Sequence, residues 1–476
     1  MEGQPISVVR PRIARTAAVV VVGVGLWCLP PPGNLTPAAM HLIAIFIATI
    51  AGLVLQPLPQ GAVVIAGIAV AAITGTLSPA EVLSGYSDPT VWLIVAAFLL
   101  CRGFIITGLG RRIAFLVVRA FGTSTLRLGY ALTLADAIIA PATPSNTARA
   151  GGILFPVVRS LSSCLGSEPG PTAGRAGAFL MFNEFQVNLV TSALFLTGVA
   201  PNAMIVRLAG ESFGYQITWI GWLRAAFLPA LVSLAVTPIL LYWLLKPGIA
   251  KTDNAAGHAG RELARMGPLS KGEGRMLAVF VGTLGLWATG QWTGLNATAV
   301  ALAGVAALLL LRVLSWEDVL GERGAWDALI WFGGLLSLAS GLGRLGVADA
   351  MASALRASFA GLDSWVPGFI LVVLAYVYSH YFIASMTAHA AALYVPACMA
   401  AVSLGTPLPL AVMVLAFANS LNAGTTTYGT GPSPIYFGAG YLEQGAWWKY
   451  GFIVSIANLA IWLIVGGAWW KLLGLW

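Results

Sequence analysis

A seven-residue pattern occurs twice in this chain, and the repetition restricts its folding more than any other feature. Pro144-Ser145-Asn146-Thr147-Ala148-Arg149-Ala150 runs on to Pro156, and Ala384-Ser385-Met386-Thr387-Ala388-His389-Ala390 runs on to Pro396. Both read Ser-x-Thr-Ala-(basic)-Ala, and they lie half of the 476 residues apart. Each copy sits in strongly apolar sequence, where hydroxyls, amides and cations are costly. A duplicated polar turn at such a depth is how membrane proteins with internal repeats build a central substrate site.

The surroundings are those of a membrane protein. Hydrophobic residues make up 58% of the chain and charged ones 9%, with a mean hydropathy of +0.86. Several apolar runs approach the roughly 20 residues needed to cross a bilayer. The net charge of +8 suggests a polyanionic partner until the cations are placed. Arg10, Arg12 and Arg15 precede the first apolar run, Arg111, Arg112 and Arg119 follow the fourth, and six more basic residues lie within 246–275. With the N-terminus inside, most cations fall on the inner side, so the charge reports topology and not nucleic acid. Cys28, Cys101, Cys164 and Cys398 have no CxxC spacing, and the four histidines form no HExxH pattern, so no metal centre is expected. The start resembles a signal peptide, but Pro30-Pro31-Pro32 replaces a cleavage site, which favours a retained first helix.

The spacing predicts an all-α polytopic fold with about 11 transmembrane helices and two re-entrant hairpins. A first helix and loop occupy 1–37, a first repeat 38–245, a basic cytoplasmic linker 246–275 and a second repeat 276–476. Each repeat holds five spanning elements, a surface stretch (near 110–121 and 347–360) and one hairpin (126–163 and 365–403). Pro141 and Pro144 disfavour one continuous helix in the first hairpin. Five is odd, so the second repeat enters the membrane inverted, and the C-terminus emerges outside. Downstream of each hairpin lies a second duplicated phrase, Thr197-Gly198-Val199-Ala200-Pro201-Asn202 and Tyr428-Gly429-Thr430-Gly431-Pro432-Ser433-Pro434. Such Gly/Pro phrases predict discontinuous helices, tolerated at depth only where they line a cavity or are buried in protein.

These phrases define the candidate substrate site: Ser145, Asn146, Thr147, Ser385, Met386 and Thr387 at the tips, with Pro201, Asn202, Thr430, Gly431, Pro432 and Ser433 at the breaks. A half-helix beginning at each tip carries partial positive charge and free N–H groups. Two such ends facing each other would hold one carboxylate each, so a dicarboxylate is the natural ligand. The serines and threonines also suit ordinary N-caps. Arg149 and His389, four residues after the serines, are candidate charge-compensating groups for a buried dianion. Tethered cations make the empty carrier slow to reorient and so favour exchange, whereas mobile sodium would permit net uptake. Asp136, Glu184 and Asn188 also lie in apolar sequence, and structural pairing is the reading taken for both carboxylates, Asp136 with an arginine such as Arg149, with a proton-linked role the alternative for Glu184.

With these motifs the chain resembles the divalent anion/sodium symporter family, in its branch of 2-oxoglutarate/malate translocators and bacterial dicarboxylate antiporters. The resemblance runs almost end to end, from the segment around Pro30–Pro37 through both hairpin tips to Gly431-Pro432-Ser433-Pro434. It implies that Ser145, Asn146, Thr147, Ser385 and Thr387 bind substrate carboxylates. Met386 departs from the family's second Ser-Asn-Thr motif and cannot donate an amide hydrogen bond. Symporter members carry small neutral residues where Arg149 and His389 stand, which agrees with sodium-independent exchange. The resemblance further implies a homodimer, an elevator-like motion and the bacterial inner membrane. A sodium- or proton-coupled di- or tricarboxylate importer is the alternative. An intramembrane enzyme is disfavoured, since no nucleophile elbow or metal motif accompanies the serines.

Overall fold

In hydrocarbon a segment must satisfy its own backbone polar groups, which an apolar chain does by forming helices. The computed structural model describes residues 6–32, 35–347, 350, 364–383 and 385–476, and these residues form no strand, only an isolated bridge between Ser124 and Lys251. The first half comprises α1 (Ile6–Trp27), α2 (Pro37–Leu55), α3 (Gln60–Ile73), α4 (Pro79–Leu83), α5 (Pro89–Thr107) and α6 (Leu109–Phe121). Helices α7 (Thr125–Ile139) and α8 (Phe155–Cys164) flank the first tip, followed by α9 (Gly177–Leu194), α10 (Ala200–Phe213) and α11 (Trp219–Leu245). After α12 (Asp253–Met266) come α13 (Lys271–Ala288), α14 (Gly290–Thr293), α15 (Ala297–Leu310), α16 (Trp316–Gly321) and α17 (Arg323–Arg344). Helices α18 (Trp365–Tyr378) and α19 (Met386–Ser403) flank the second tip, and α20 (Leu408–Leu421), α21 (Pro432–Gly438), α22 (Gln444–Ile461) and α23 (Gly467–Leu472) close the chain. The surface stretch expected near 347–360 falls almost wholly outside the described residues.

Local chemistry sets many of the helix starts. Thr36 Oγ1 accepts the Ala39 N–H at 3.2 Å, with Pro37 in the first turn, and Asp88 Oδ1 accepts the Thr90 N–H at 2.7 Å ahead of Pro89. Each cap satisfies a donor that the helix leaves free. Among the described residues, seven helices are long and apolar enough to cross a bilayer. The expected count of about 11 differs because some segments, such as Gln60–Ile73 and Ala297–Leu310, form shorter apolar helices, and others are interrupted.

The helices pack as two groups. One joins α2, α3 and α5 to α13, α15 and α17. The other gathers the hairpin limbs around α9 and α20, with α11 and α22 outside them. Every residue of α9 is buried, as is Leu410–Leu421 of α20. The linker is more ordered than its composition suggests. Helix α12 docks on α6 through an Arg111–Glu262 ion pair of 2.8 Å, and Arg112 reaches Glu273 at the start of α13.

Candidate functional site

The two tips are built alike from different turns. Helix α7 gives way to a 3-10 turn at Ala140–Ala142, and the chain restarts as a π-helical segment, Thr147–Leu154. Ser145 Oγ caps the restart by accepting the Ala148 N–H at 3.1 Å. In the second copy a 3-10 turn, Ser379–Phe382, precedes Ser385, whose Oγ accepts the Ala388 N–H at 3.3 Å. The capping role open from the sequence is therefore real for both serines. The discontinuities downstream are also present. Between α9 and α10 lie a short 3-10 turn, Leu196–Gly198, and an extended Val199, and between α20 and α21 the stretch 425–431 is not helical.

These four breaks converge on a cavity of about 320 Å³. Ser145, Asn146, Thr147, Ser385, Met386, Thr387, Pro201, Thr430 and Gly431 line it, as the duplicated phrases suggested. The tips meet there: Asn146 Nδ2 donates to Thr430 Oγ1 at 2.8 Å and lies 3.8 Å from Met386 Sδ. Three candidates lie off the wall. Asn202 Nδ2 donates to the Ser192 and Phe195 carbonyls at 2.7 and 3.0 Å, closing the frayed end of α9. Ser433 Oγ accepts the Thr430 N–H at 3.2 Å, and Pro432 opens α21. Their positions are those of groups that shape the breaks. Four lining residues were not anticipated: Gln56, Gln60, Phe98 and Trp331, all from the other helix group. In sequence, Phe98 and Trp331 read as ordinary packing residues and the glutamines as helix ends.

Arg149 and His389 sit one turn behind their tips, outside the cavity lining. Arg149 is fully buried. Its Nε donates to Asp136 Oδ1 at 2.9 Å, its Nη1 to the Thr143 and Gly198 carbonyls at 3.0 and 2.8 Å, and its Nη2 to the Asn188 carbonyl at 3.2 Å and Ser192 Oγ at 2.8 Å. The arginine is thus partnered by Asp136, itself held by Asn188 Nδ2 and Thr191 Oγ1, and is no bare charge. His389 Nδ1 lies 3.1 Å from Asn419 Oδ1, and its Nε2 lies 2.9 Å from both the Tyr376 carbonyl and Ser379 Oγ. Asn422 Nδ2, a donor, also lies 3.4 Å from Nδ1, so the ring is held on both sides by polar partners. Glu184 differs from the expected pairing: both carboxylate oxygens are buried without a hydrogen-bond partner among the described residues.

Two polar tips and two broken helices around one cavity are the parts of a carrier, and comparison with known proteins decides which kind. The family described as "Sodium:sulfate symporter transmembrane region" matches residues 10–476. The chain belongs to this family of membrane transporters. Its membership agrees with the divalent anion/sodium symporter resemblance carried by the tip motifs. A Bacillus subtilis (strain 168) relative named "Putative malate transporter YflS" is 49% identical over 458 residues, 96% of either chain. "Dicarboxylate transporter 1, chloroplastic" of Arabidopsis thaliana is 43% identical over 461 residues, 96% of this chain and 83% of the plant protein. Among solved structures, the Neisseria gonorrhoeae efflux pump MtrF superposes with a TM-score of 0.53 at 11% identity, covering 98% of this chain and 95% of that one. The Alcanivorax borkumensis transporter YdaH gives 0.52, also at 11% identity, covering 98% and 97%. At that identity the likeness is one of fold alone.

Proposed function

We propose that this transporter exchanges one dicarboxylate for another, of the malate, 2-oxoglutarate or succinate type, without sodium. The observation that carries the reading is the meeting of both Ser-x-Thr tips at one cavity with a basic residue behind each. Half-helix N–H groups and hydroxyls at each tip suit one carboxylate. The names of the Bacillus and plant relatives point to the same substrate class.

The family description names sodium, and the residues behind the first tip do not suit that ion. The carbonyls of Thr143, Gly198 and Asn188 converge on a cation, and the cation they hold is the guanidinium of Arg149. That tethered guanidinium occupies the place a mobile cation would take and cannot leave with the substrate, which favours exchange over sodium-driven net uptake. At the second tip His389 takes the position matching Arg149, one turn behind Ser385. Two copies inverted in the membrane, an elevator-like shift of the hairpin group, a homodimer, and an N-terminus inside with the C-terminus outside a bacterial inner membrane complete the proposal. A second reading, proton-coupled uptake on the same fold, is favoured by the unpartnered Glu184 carboxyl. Radiolabelled exchange in liposomes loaded with a panel of di- and tricarboxylates tests both: saturable counterflow supports exchange, and uptake into empty vesicles driven by a pH gradient supports the second reading.

A further inference from the structure

The cavity has a wall that the duplicated phrases do not supply. Gln56 and Gln60 flank the turn between α2 and α3, and both line the cavity. Gln60 Nε2 donates to Ser385 Oγ at 3.2 Å, the hydroxyl at the second tip. The serine is otherwise engaged as an acceptor for the Ala388 N–H, so its own O–H is available to a ligand. Beside the glutamines this wall offers Phe98, which has no donor, and Trp331, whose one donor is its indole N–H.

The turn is built to hold these amides in place. Gln56 adopts φ 49° and ψ 52°, a left-handed conformation usually left to glycine or asparagine. Pro57 and Pro59 stiffen the link on either side of Leu58. Gly61 lies against Asp327 and Ile330 of α17, so closely that a Cβ there would stand 2.9 Å from Asp327 Oδ1. A non-glycine residue in a strained conformation at a cavity wall points to use of its neighbourhood in function.

We propose that Gln60 is a substrate-binding residue supplied from outside the hairpin group, donating its side-chain amide to the carboxylate held at the second tip. The inference rests on the dicarboxylate reading above and adds a third kind of donor to it. Met386 lacks the amide that Asn146 brings to the first tip, and Gln60 fills that position from across the cavity. The substrate then bridges the two helix groups, so its affinity depends on how they are aligned.

The test is binding of labelled malate to purified protein, together with KM and turnover for exchange in liposomes. Gln60→Leu is expected to weaken binding and raise KM about tenfold, the worth of a hydrogen bond to a charged group, with turnover changed by less than about twofold. Gln60→Glu, of the same size, is expected to weaken binding further by like-charge repulsion. Combining Gln60→Leu with Ser385→Ala separates direct contact from a role in orienting the serine. The loss from Gln60→Leu persists in that background if the amide touches substrate. Affinity unchanged in Gln60→Leu, or no added loss in the Ser385→Ala background, overturns the proposal. Parent protein that binds no dicarboxylate at all overturns the substrate reading as well, and so marks that failure apart.

Discussion

Replacing Arg149 by glutamine separates structural pairing from charge compensation. The guanidinium and the Asp136 carboxylate are both wholly buried and 2.9 Å apart. Removing one partner of a buried ion pair costs about 3–5 kcal/mol, because the other is left uncompensated. Asp136 retains Asn188 and Thr191 as donors, which places the loss near the lower end, about 3 kcal/mol. Arg149→Gln should therefore lower the thermal stability of the detergent-solubilised protein, and Asp136→Asn/Arg149→Gln should recover most of it. The double variant still lacks a cation behind the first tip. Its sodium-free exchange in liposomes is expected to remain abolished although its unfolding curve approaches that of the parent. Parental exchange rates in the stable double variant would refute compensation by Arg149. Parental stability of the single variant would refute the energetics of the pair.

Other consequences follow from single contacts. A Cβ on Gly431 would overlap Thr147 Oγ1, so Gly431→Ala should force the first tip from the unwound segment, costing about 1–3 kcal/mol and most of the exchange activity, read by unfolding and counterflow together. Ser145→Ala should cost about 1 kcal/mol of stability through the lost cap and raise KM as well, whereas Ser433→Ala should change stability more than KM. In the linker, Glu273 titrates below its ordinary value of 4.5: burial pushes it up, but hydrogen bonds from Arg112 and from Ser270 outweigh burial. Its contribution to stability is complete above that ordinary value and is lost as pH falls through the lowered one. Arg112→Gln should lower stability above that ordinary value and flatten its decline toward acid, measured by unfolding across a pH series.

Much of the site was legible because its parts are duplicated. Ser145 and Ser385, with Pro201 and Gly431, announce themselves as polar or helix-breaking residues in apolar sequence at matched places. Gln60 does not, since its partner Ser385 lies 325 positions away and a glutamine just after Pro59 reads as a helix end. Arg149 was legible as a buried cation and as a partner for Asp136, but not in its further acceptors, the Gly198 and Asn188 carbonyls. The π-helical segment, Thr147–Leu154, aims it back at α7 and α9, and no side-chain spacing announces a π turn. Glu184 shows the reverse limit: its apolar context was plain, yet its lack of a partner depends on packing that only the folded α9 reveals. The linker's basic composition suggested a loop, while the pairing of Glu262 and Glu273 with α6 needed the fold to bring them together.

The most direct test of the central claim is uptake of labelled malate into liposomes prepared with and without internal dicarboxylate, in sodium and in sodium-free buffer. The account predicts uptake only where an internal counter-substrate is present, at equal rates in both buffers. Concentrative uptake into vesicles lacking a counter-substrate, driven by a sodium gradient, would contradict it.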